Sequence, residues 1–178
     1  MTGTALLVMD VQEQVLARYP DPEYLPRLSS AIDRARAAGL PVIYVRVGFR
    51  PGYPEISSRN KIFAAVRDRA GTGLGSSEIH PDIAPAPGDI VVTKLRVSAF
   101  AGSDLDVVLR SLEIDHLVLT GVATSGVVLS TLRQAADLDY VLTVLADGCL
   151  DNDPEVHRVL TEKVFPRQAD VLTVADWK

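Results

Sequence analysis

The chain has 178 residues, enough for a complete hydrophobic core, and we predict a single domain over 1–178. Charged residues make up 23% of the sequence and give a net charge of −5 without any cluster of Lys and Arg, which excludes a basic face for nucleic acid. The apolar run at 5–9 is too short to span a membrane and lacks the flanks of a signal peptide, so we expect a cytoplasmic protein without a membrane partner. Cys149 is the single cysteine, which excludes an internal disulfide and a thiolate metal cluster.

Short apolar runs rich in Val and Ile predict strands that are buried on both faces, at 4–9, 41–47, 90–93, 116–122, 140–146 and 170–174. Between them, 22–38 and 103–113 carry apolar residues at helical spacing, and Gly39 follows the first where a C-terminal cap belongs. Asp153-Pro154 predicts the start of another helix, because Asp is a good N-cap and Pro suits the first helical position. This alternation predicts a three-layer α/β/α domain with a mostly parallel, about six-stranded Rossmann-like sheet.

The segment 48–88 is the irregular part of the chain. It contains a short helical pattern near 59–68 and a glycine-rich stretch at 71–75, which follows a helical segment and is interpreted as a flexible loop. An insertion of this length in a compact domain usually has a function or contacts a partner.

Polar residues at strand ends are the first candidates for a site, because ligands of open α/β sheets bind beyond the carboxyl ends of the strands. Asp10 ends the first predicted strand and Lys94 ends the third. From spacing alone, Asp10 fits a turn cap equally well, and Lys94 fits a lysine that leaves the sheet for solvent. Thr124 and Ser125 open the helix after the fourth strand, and we expect them to cap it, since no histidine is near enough to activate a hydroxyl.

Almost the whole chain resembles the isochorismatase-like (cysteine) hydrolases, and four stretches in this order carry the resemblance. The resemblance implies the fold of that family and places Asp10 and Lys94 in its Asp-Lys-Cys triad. The position of the third member is occupied by Val127, so the chain resembles a member that lacks the catalytic cysteine. The stretches are Leu6-Leu7-Val8-Met9-Asp10-Val11-Gln12, Val92-Thr93-Lys94 with Ser98-Ala99-Phe100, Leu117 to Thr124, and Asp147-Gly148-Cys149.

The resemblance also implies the roles of these residues. In relatives the Asp is the general base for the cysteine and the Lys balances charge. Relatives carry a non-proline cis peptide at the position of Val122-Ala123, and the N–H groups of Ala123 and Val127 would then form an oxyanion hole. These are backbone groups, so the hole survives replacement of the cysteine. By position we add four candidate substrate-binding residues, which are Gln12, Phe49, Phe100 and Thr124.

No cofactor or metal site is predicted. Nicotinamidase-like relatives bind a divalent ion through an Asp-x-His and a further His, whereas His80, His116 and His157 are far apart here and no Asp-x-His occurs. We expect each of these histidines to be structural or exposed. Cys149 is expected to be a buried thiol, and its use as a substitute nucleophile is a third hypothesis that thiol modification would test.

The leading hypothesis is a hydrolase that acts on a small polar molecule through Asp10 and Lys94 without a covalent nucleophile. Isochorismatases proper have glycine instead of the cysteine, and their Asp donates a proton to a vinyl ether. Val127 is larger than glycine, and the Tyr-Ala-His that follows Gly-Val in those enzymes is missing, so we expect a substrate other than isochorismate. The alternative is a catalytically inactive pseudoenzyme that binds a small ligand or serves in assembly. By analogy, we expect a homodimer or a higher homo-oligomer.

Overall fold

A computed structural model describes residues 3–68 and 78–178 of the chain. Its strands are β1 (Gly3–Met9), β2 (Val42–Val47), β3 (Ile90–Lys94), β4 (Ile114–Val122), β5 (Val141–Leu150) and β6 (Asp170–Leu172). They form one sheet in the order β3-β2-β1-β4-β5-β6, and every neighbouring pair is parallel. The strand order reverses between β1 and β4, and ligands of such sheets bind outside the carboxyl ends at this reversal. The predicted fold class is confirmed.

The helices are α1 (Glu13–Leu16), α2 (Tyr24–Ala37), α3 (Lys61–Asp68), α4 (Leu105–Ser111), α5 (Leu129–Asp137) and α6 (Pro154–Val159). Wider π-helical turns at Thr124–Val128 and Leu160–Val164 precede α5 and extend α6. Short 3₁₀ turns lie at Pro81–Ile83 and Phe165–Arg167. The helices expected within 22–38, near 59–68 and within 103–113 are therefore present, whereas the glycine-rich stretch at 71–75 lies outside the described residues.

The predicted helix signals act as expected. Asp153 Oδ1 accepts hydrogen bonds from the N–H groups of Glu155 and Val156 at 2.9 and 3.4 Å, so it caps α6. Gly39 follows α2 with φ +69°, the left-handed conformation that glycine adopts without steric cost. Both helices therefore have ends that the local sequence specifies.

Alternate residues of β1 pack into two different hydrophobic cores, one on each face of the sheet. Leu7 belongs to the core shared with α4 and α5, and Leu6 belongs to the core shared with α2. Both side chains are completely buried. Burying one such leucine stabilises a fold by roughly 1.5–3 kcal/mol, so the sheet is held firmly between its two helical layers. Among the described helices, none has the length and apolar character needed to cross a membrane.

The carboxyl ends of β1 and β4 approach each other closely. Gly121 has φ +142°, and a Cβ atom there would lie 2.3 Å from the carbonyl oxygen of Met9. Only glycine fits this contact without moving the backbone. The glycine therefore lets β4 end directly beside Asp10, at the edge of the sheet where the candidate site lies.

Candidate active site

The side chains that end β1 and β3 form a buried ion pair. Lys94 Nζ lies 2.9 Å from Asp10 Oδ2, and the two side chains are 2% and 12% exposed. β2 lies between β1 and β3, so the pair spans the end of the intervening strand. Lys94 is therefore not the solvent-exposed lysine that its spacing alone allowed.

Lys94 has an acceptor for each of its three ammonium protons. Besides Asp10, Nζ donates to the carbonyl oxygens of Arg96 and Val97, both at 2.9 Å. A buried ammonium group needs this complete set of partners, because each unpaired donor would add a desolvation penalty. The arrangement fixes the cation beside Asp10 and ties the loop after β3 to the site.

Asp10 has one paired and one unpaired carboxylate oxygen. Oδ2 meets Lys94, whereas Oδ1 is buried and has no hydrogen-bond partner among residues 3–68 and 78–178. Burial raises the pKa of Asp10 above its ordinary value, while the charge of Lys94 and its hydrogen bond offset part of that rise. Asp10 therefore presents an oxygen that can exchange a proton with a bound molecule.

The backbone also holds Asp10 in place. Its φ of +57° is the left-handed conformation that short polar residues adopt more readily than others, and its N–H donates to the carbonyl oxygen of Val45 at 2.8 Å. The strand stops at this residue, and the chain turns toward α1. The carboxylate therefore sits on a rigid end of the sheet.

Gln12, predicted to bind substrate, is engaged with the backbone of β2. Its Nε2 donates to the carbonyl oxygen of Val47 at 3.2 Å, and the N–H of Val47 donates to Gln12 Oε1 at 3.0 Å. The residue is 2% exposed. Its amide therefore connects the segment after β1 to the end of β2, a contact that spacing along the chain does not reveal.

The two phenylalanines predicted to bind substrate lie in different surroundings. Phe100 is 8% exposed and packs in the hydrophobic core, with its ring centroid 6.0 Å from that of Tyr140. Phe49 follows β2 and contacts the ring of Phe63 edge-on at 5.4 Å. Phe49 also lines a cavity, whereas Phe100 is a core residue.

The structure corrects the expectation that no histidine lies beside Thr124. His157 Nδ1 is 2.8 Å from Thr124 Oγ1, which is completely buried. The same hydroxyl was expected to cap the following helix, but the turn at Thr124–Val128 has no side-chain cap. The N–H of Ser125 is instead bound by Asp151 Oδ2 at 2.7 Å. α6 brings His157 to this position from a distant part of the sequence.

Val127, which the resemblance assigns to the position of the nucleophile, is packed in the core. It is 2% exposed and belongs to the same apolar cluster as Phe100 and Cys149. The Val122–Ala123 peptide bond is cis, as the resemblance implied. A valine side chain offers neither a nucleophile nor a proton, so position 127 supplies no reactive group.

Comparisons with known proteins agree with this architecture. The model of the isochorismatase domain matches residues 4–176. The ureidoacrylate amidohydrolase RutB of Pseudomonas syringae pv. syringae is 35% identical in an alignment 177 positions long that covers 85% of this chain and 72% of that protein. The chain belongs to the isochorismatase family.

Solved structures of isochorismatase-family proteins share the fold over nearly the full length of the chain. An isochorismatase family protein from Burkholderia thailandensis superimposes with a TM-score of 0.83 at 28% identity, covering 97% of this chain and 92% of that one. N-carbamoylsarcosine amidase from Thermoplasma acidophilum gives a TM-score of 0.76 at 28% identity and covers 99% of both chains. The chain is thus an isochorismatase-family hydrolase in fold and sequence.

The remaining cysteine of this family member is poorly suited to replace the missing nucleophile. Cys149 is 2% exposed, and its Sγ lies 4.0 Å from the carbonyl oxygen of Leu119. Burial raises the pKa of its thiol to about 12, so the thiolate is scarce at neutral pH. The expected buried thiol is confirmed.

The histidines of this isochorismatase-family protein lie apart from one another. His116 Nε2 is 2.9 Å from Thr143 Oγ1 near the amino ends of the strands, and His80 Nδ1 accepts from the N–H of Asp82 at 3.3 Å. His157 contacts Thr124 at the opposite edge. Within the described part of the chain, no group of three or more His, Cys, Asp or Glu residues is arranged to hold a metal ion.

Proposed function

We propose that this isochorismatase-family hydrolase acts on a small polar molecule through Asp10 and Lys94 and forms no covalent intermediate. The observation that carries the proposal is the divided environment of the Asp10 carboxylate. Lys94 holds Oδ2 at 2.9 Å, whereas Oδ1 is buried without a partner in residues 3–68 and 78–178. An unpaired buried oxygen is costly and marks the place where a substrate proton would be given or taken.

The raised pKa of Asp10 suits a group that must first donate and then accept a proton. Asp10 in its acid form transfers a proton to the leaving atom of the substrate as that bond breaks. A water oxygen forms the new bond to carbon, and the proton that this water loses returns to Asp10. Lys94 keeps its three hydrogen bonds throughout, so its role is to balance the charge of the carboxylate as it forms.

The substrate class is proposed from relatives whose names state their substrates. One is a ureidoacrylate amidohydrolase and another is an N-carbamoylsarcosine amidase, so ureido compounds belong in the first panel. Vinyl ethers belong there too, because the family resemblance includes enzymes that use an Asp without a thiol. Small amides complete the panel.

The test is turnover by the purified protein on this panel, including isochorismate, with Asp10→Asn measured in parallel. Asn keeps the shape of the side chain but cannot exchange a proton, so we expect the rate to fall by about 10²- to 10⁴-fold. Asp33→Asn is the matched control, since Asp33 is 72% exposed on α2 and should leave turnover unchanged. Turnover that survives Asp10→Asn would contradict the proposal.

A second function is favoured by the packing of Val127. The side chain is buried in the core, as expected of a pseudoenzyme whose former nucleophile position has become structural. In that case the folded protein would turn over no member of the panel. Binding of panel compounds without turnover, measured by calorimetry, would then support a ligand-binding role.

We also propose that the protein is a homo-oligomer, as the family resemblance implies, and that it is located in the cytoplasm. Ile62 on α3 and Val107 on α4 are 61% and 60% exposed and could contribute apolar area to a subunit interface. Light scattering on the purified protein tests this assembly, and a monomer at micromolar concentration would contradict it.

A further inference from the structure

A cavity of about 370 Å³ lies at the carboxyl ends of β2 and β3. Its volume is near the lower end of the ~300–1,000 Å³ found for small-molecule sites. Among the described residues, the cavity lining does not include Asp10, Lys94 or Val127. The cavity is therefore separate from the ion pair. The lining residues used below are Phe49, Arg50, Glu55, Thr93 and Leu95.

Glu55 contributes a buried carboxylate oxygen to this cavity. Its side chain is 9% exposed, and one oxygen, Oε1, is paired with Arg50. The other oxygen, Oε2, is buried and has no hydrogen-bond partner in the described part of the chain. Buried polar atoms are nearly always paired in folded proteins, so an unpaired one on a residue that lines a cavity indicates a missing donor.

The position of this carboxylate is fixed by its surroundings. Arg96 Nη2 donates to the backbone carbonyl oxygen of Glu55 at 3.0 Å. The N–H of Ile56 donates to the carbonyl oxygen of Tyr53, also at 3.0 Å. Burial alone would raise the pKa of Glu55, but hydrogen bonds from its own N–H and from Arg50 outweigh burial and lower it. Glu55 is therefore a carboxylate anion at neutral pH, and it can only accept hydrogen bonds.

A charge of the opposite sign lies beside this acceptor. Arg50 contacts Glu55 through Nη1, and its side chain is 74% exposed at the rim of the cavity. A purely cationic ligand would meet Glu55 but be repelled by Arg50, and a purely anionic ligand would experience the reverse. A molecule that carries both charges on adjacent atoms satisfies both residues.

The remaining walls favour an apolar substituent on such a ligand. The ring of Phe49 is held edge-on by Phe63 at 5.4 Å, and Leu95 adds an aliphatic surface. Thr93 Oγ1 accepts from Arg46 Nε at 3.2 Å, so its hydroxyl proton remains able to point elsewhere. The cavity thus combines one buried acceptor, one cation and an apolar wall.

We propose that this cavity binds a small zwitterion of the amino-acid type, whose ammonium group donates to Glu55 Oε2 and whose carboxylate meets Arg50. The site goes beyond the proposed hydrolase chemistry, because it uses neither Asp10 nor Lys94. It gives the protein a ligand-binding function that is independent of turnover.

The experiment is isothermal titration of the whole protein with glycine, β-alanine, L-leucine and L-phenylalanine. We expect at least one to bind and Glu55→Gln to weaken its binding by about 10- to 100-fold, the effect of losing a hydrogen bond between charged groups. Glu23→Gln, at an exposed position before α2, should leave the affinity unchanged. For L-leucine, isoamylamine and 4-methylpentanoate are the analogues that each lack one charge, and each should bind at least about tenfold more weakly.

Arg50→Gln provides a second variant, whose amide can still donate to the Glu55 carboxylate, and it should weaken binding of the amino acid without weakening that of isoamylamine. Asp10→Asn separates the two sites, because binding should persist when turnover is lost. Binding of none of the four amino acids would overturn the proposal. Equal amino-acid affinities in Glu55→Gln and the unchanged protein would also overturn it. Loss of amino-acid binding in Asp10→Asn would do the same.

Discussion

Lys94 on β3 reaches Asp10 at the end of β1, at 2.9 Å, across the end of the strand that lies between them. β1 and β3 are thereby joined at their carboxyl ends by one buried cation, which also binds two carbonyl oxygens of the following loop. The pair therefore has a structural consequence as well as a proposed catalytic one.

Replacing Lys94 by Met should lower the free energy of unfolding by roughly 3–5 kcal/mol near pH 7, because the Asp10 carboxylate remains buried without its cation. Burial already raises the pKa of Asp10, and loss of Lys94 removes what offsets that rise. A carboxyl group whose pKa is raised by folding destabilises the folded state at pH values above its pKa in the unfolded chain. The loss of unfolding free energy in Lys94→Met should therefore become smaller as the pH falls. Urea unfolding near pH 7.5 and pH 5 measures this difference. An equal deficit at both values would contradict it, and Asp10→Asn combined with Lys94→Met should recover most of the loss.

Replacing Gln12 by Leu should destabilise the protein by roughly 1–3 kcal/mol, since the N–H and carbonyl groups of Val47 would lose their buried partners. If Gln12 only holds the end of β2 and does not contact substrate, the KM of Gln12→Leu for any substrate found should stay within about twofold of that of the unchanged protein. Chemical denaturation and steady-state kinetics give the two values. A large rise in KM at unchanged stability would contradict this prediction and support the role in substrate binding that the sequence predicted for Gln12.

The contact of His157 with Thr124 should make stability depend on pH. Burial lowers the pKa of His157 below its ordinary value of 6.5, although the charge of Asp151 opposes the shift. The unfolded chain then binds a proton more readily than the folded one, so stability is full above pH 6.5 and is lost as the pH falls toward the folded pKa. Burial lowers the pKa of His116 in the same direction.

Thermal unfolding followed across this range should therefore show a smaller pH dependence in His157→Gln than in the unchanged protein. His116→Gln serves as the comparison for the second histidine. Thr124→Val should lower stability at every pH, because Nδ1 of His157 loses its partner. An identical pH profile in His157→Gln and the unchanged protein would show that this histidine does not couple to folding.

Replacing Val127 by Cys should place a thiol at the position that the family resemblance assigns to the nucleophile. In a Cys149→Ala background, we expect Val127→Cys to gain amidase activity on a ureido compound and to form an adduct visible by mass spectrometry. Val127→Ala in the same background matches the loss of volume without adding a thiol and should gain nothing. In the unchanged protein Cys149 should resist alkylation, since burial raises its thiol pKa to about 12. A thiol at 127 that is inert to substrate would indicate that more than the nucleophile has been lost.

The carboxyl ends of β1 and β3 could be predicted to within one residue, because each apolar run stops where a polar residue begins, at Asp10 and Lys94, and parallel strands bring these ends to one edge. The predicted end of β5 at 146 was wrong, since the strand continues to Leu150. Burial of β3 on both faces was also wrong, because one face of this edge strand is exposed. The helix start at Asp153 was equally visible, because its cap depends on residues within one turn. Tyr24 lies on the buried face of α2, and its hydroxyl donates to the carbonyl oxygen of Gly148 at 3.2 Å, a partner that helical spacing does not reveal.

The sequence by itself determined the parallel sheet, the family and the absence of a thiol at Val127, since these depend on local pattern and residue identity. Only the tertiary structure decided that Gln12 binds β2, that His157 meets Thr124 and that Glu55 is buried with an unpaired oxygen. Each of these depends on a loop or helix returning to the sheet edge from a distant part of the chain. Periodicity predicts which face a side chain occupies, but the partner it meets there is set by the packing of segments that no local pattern connects.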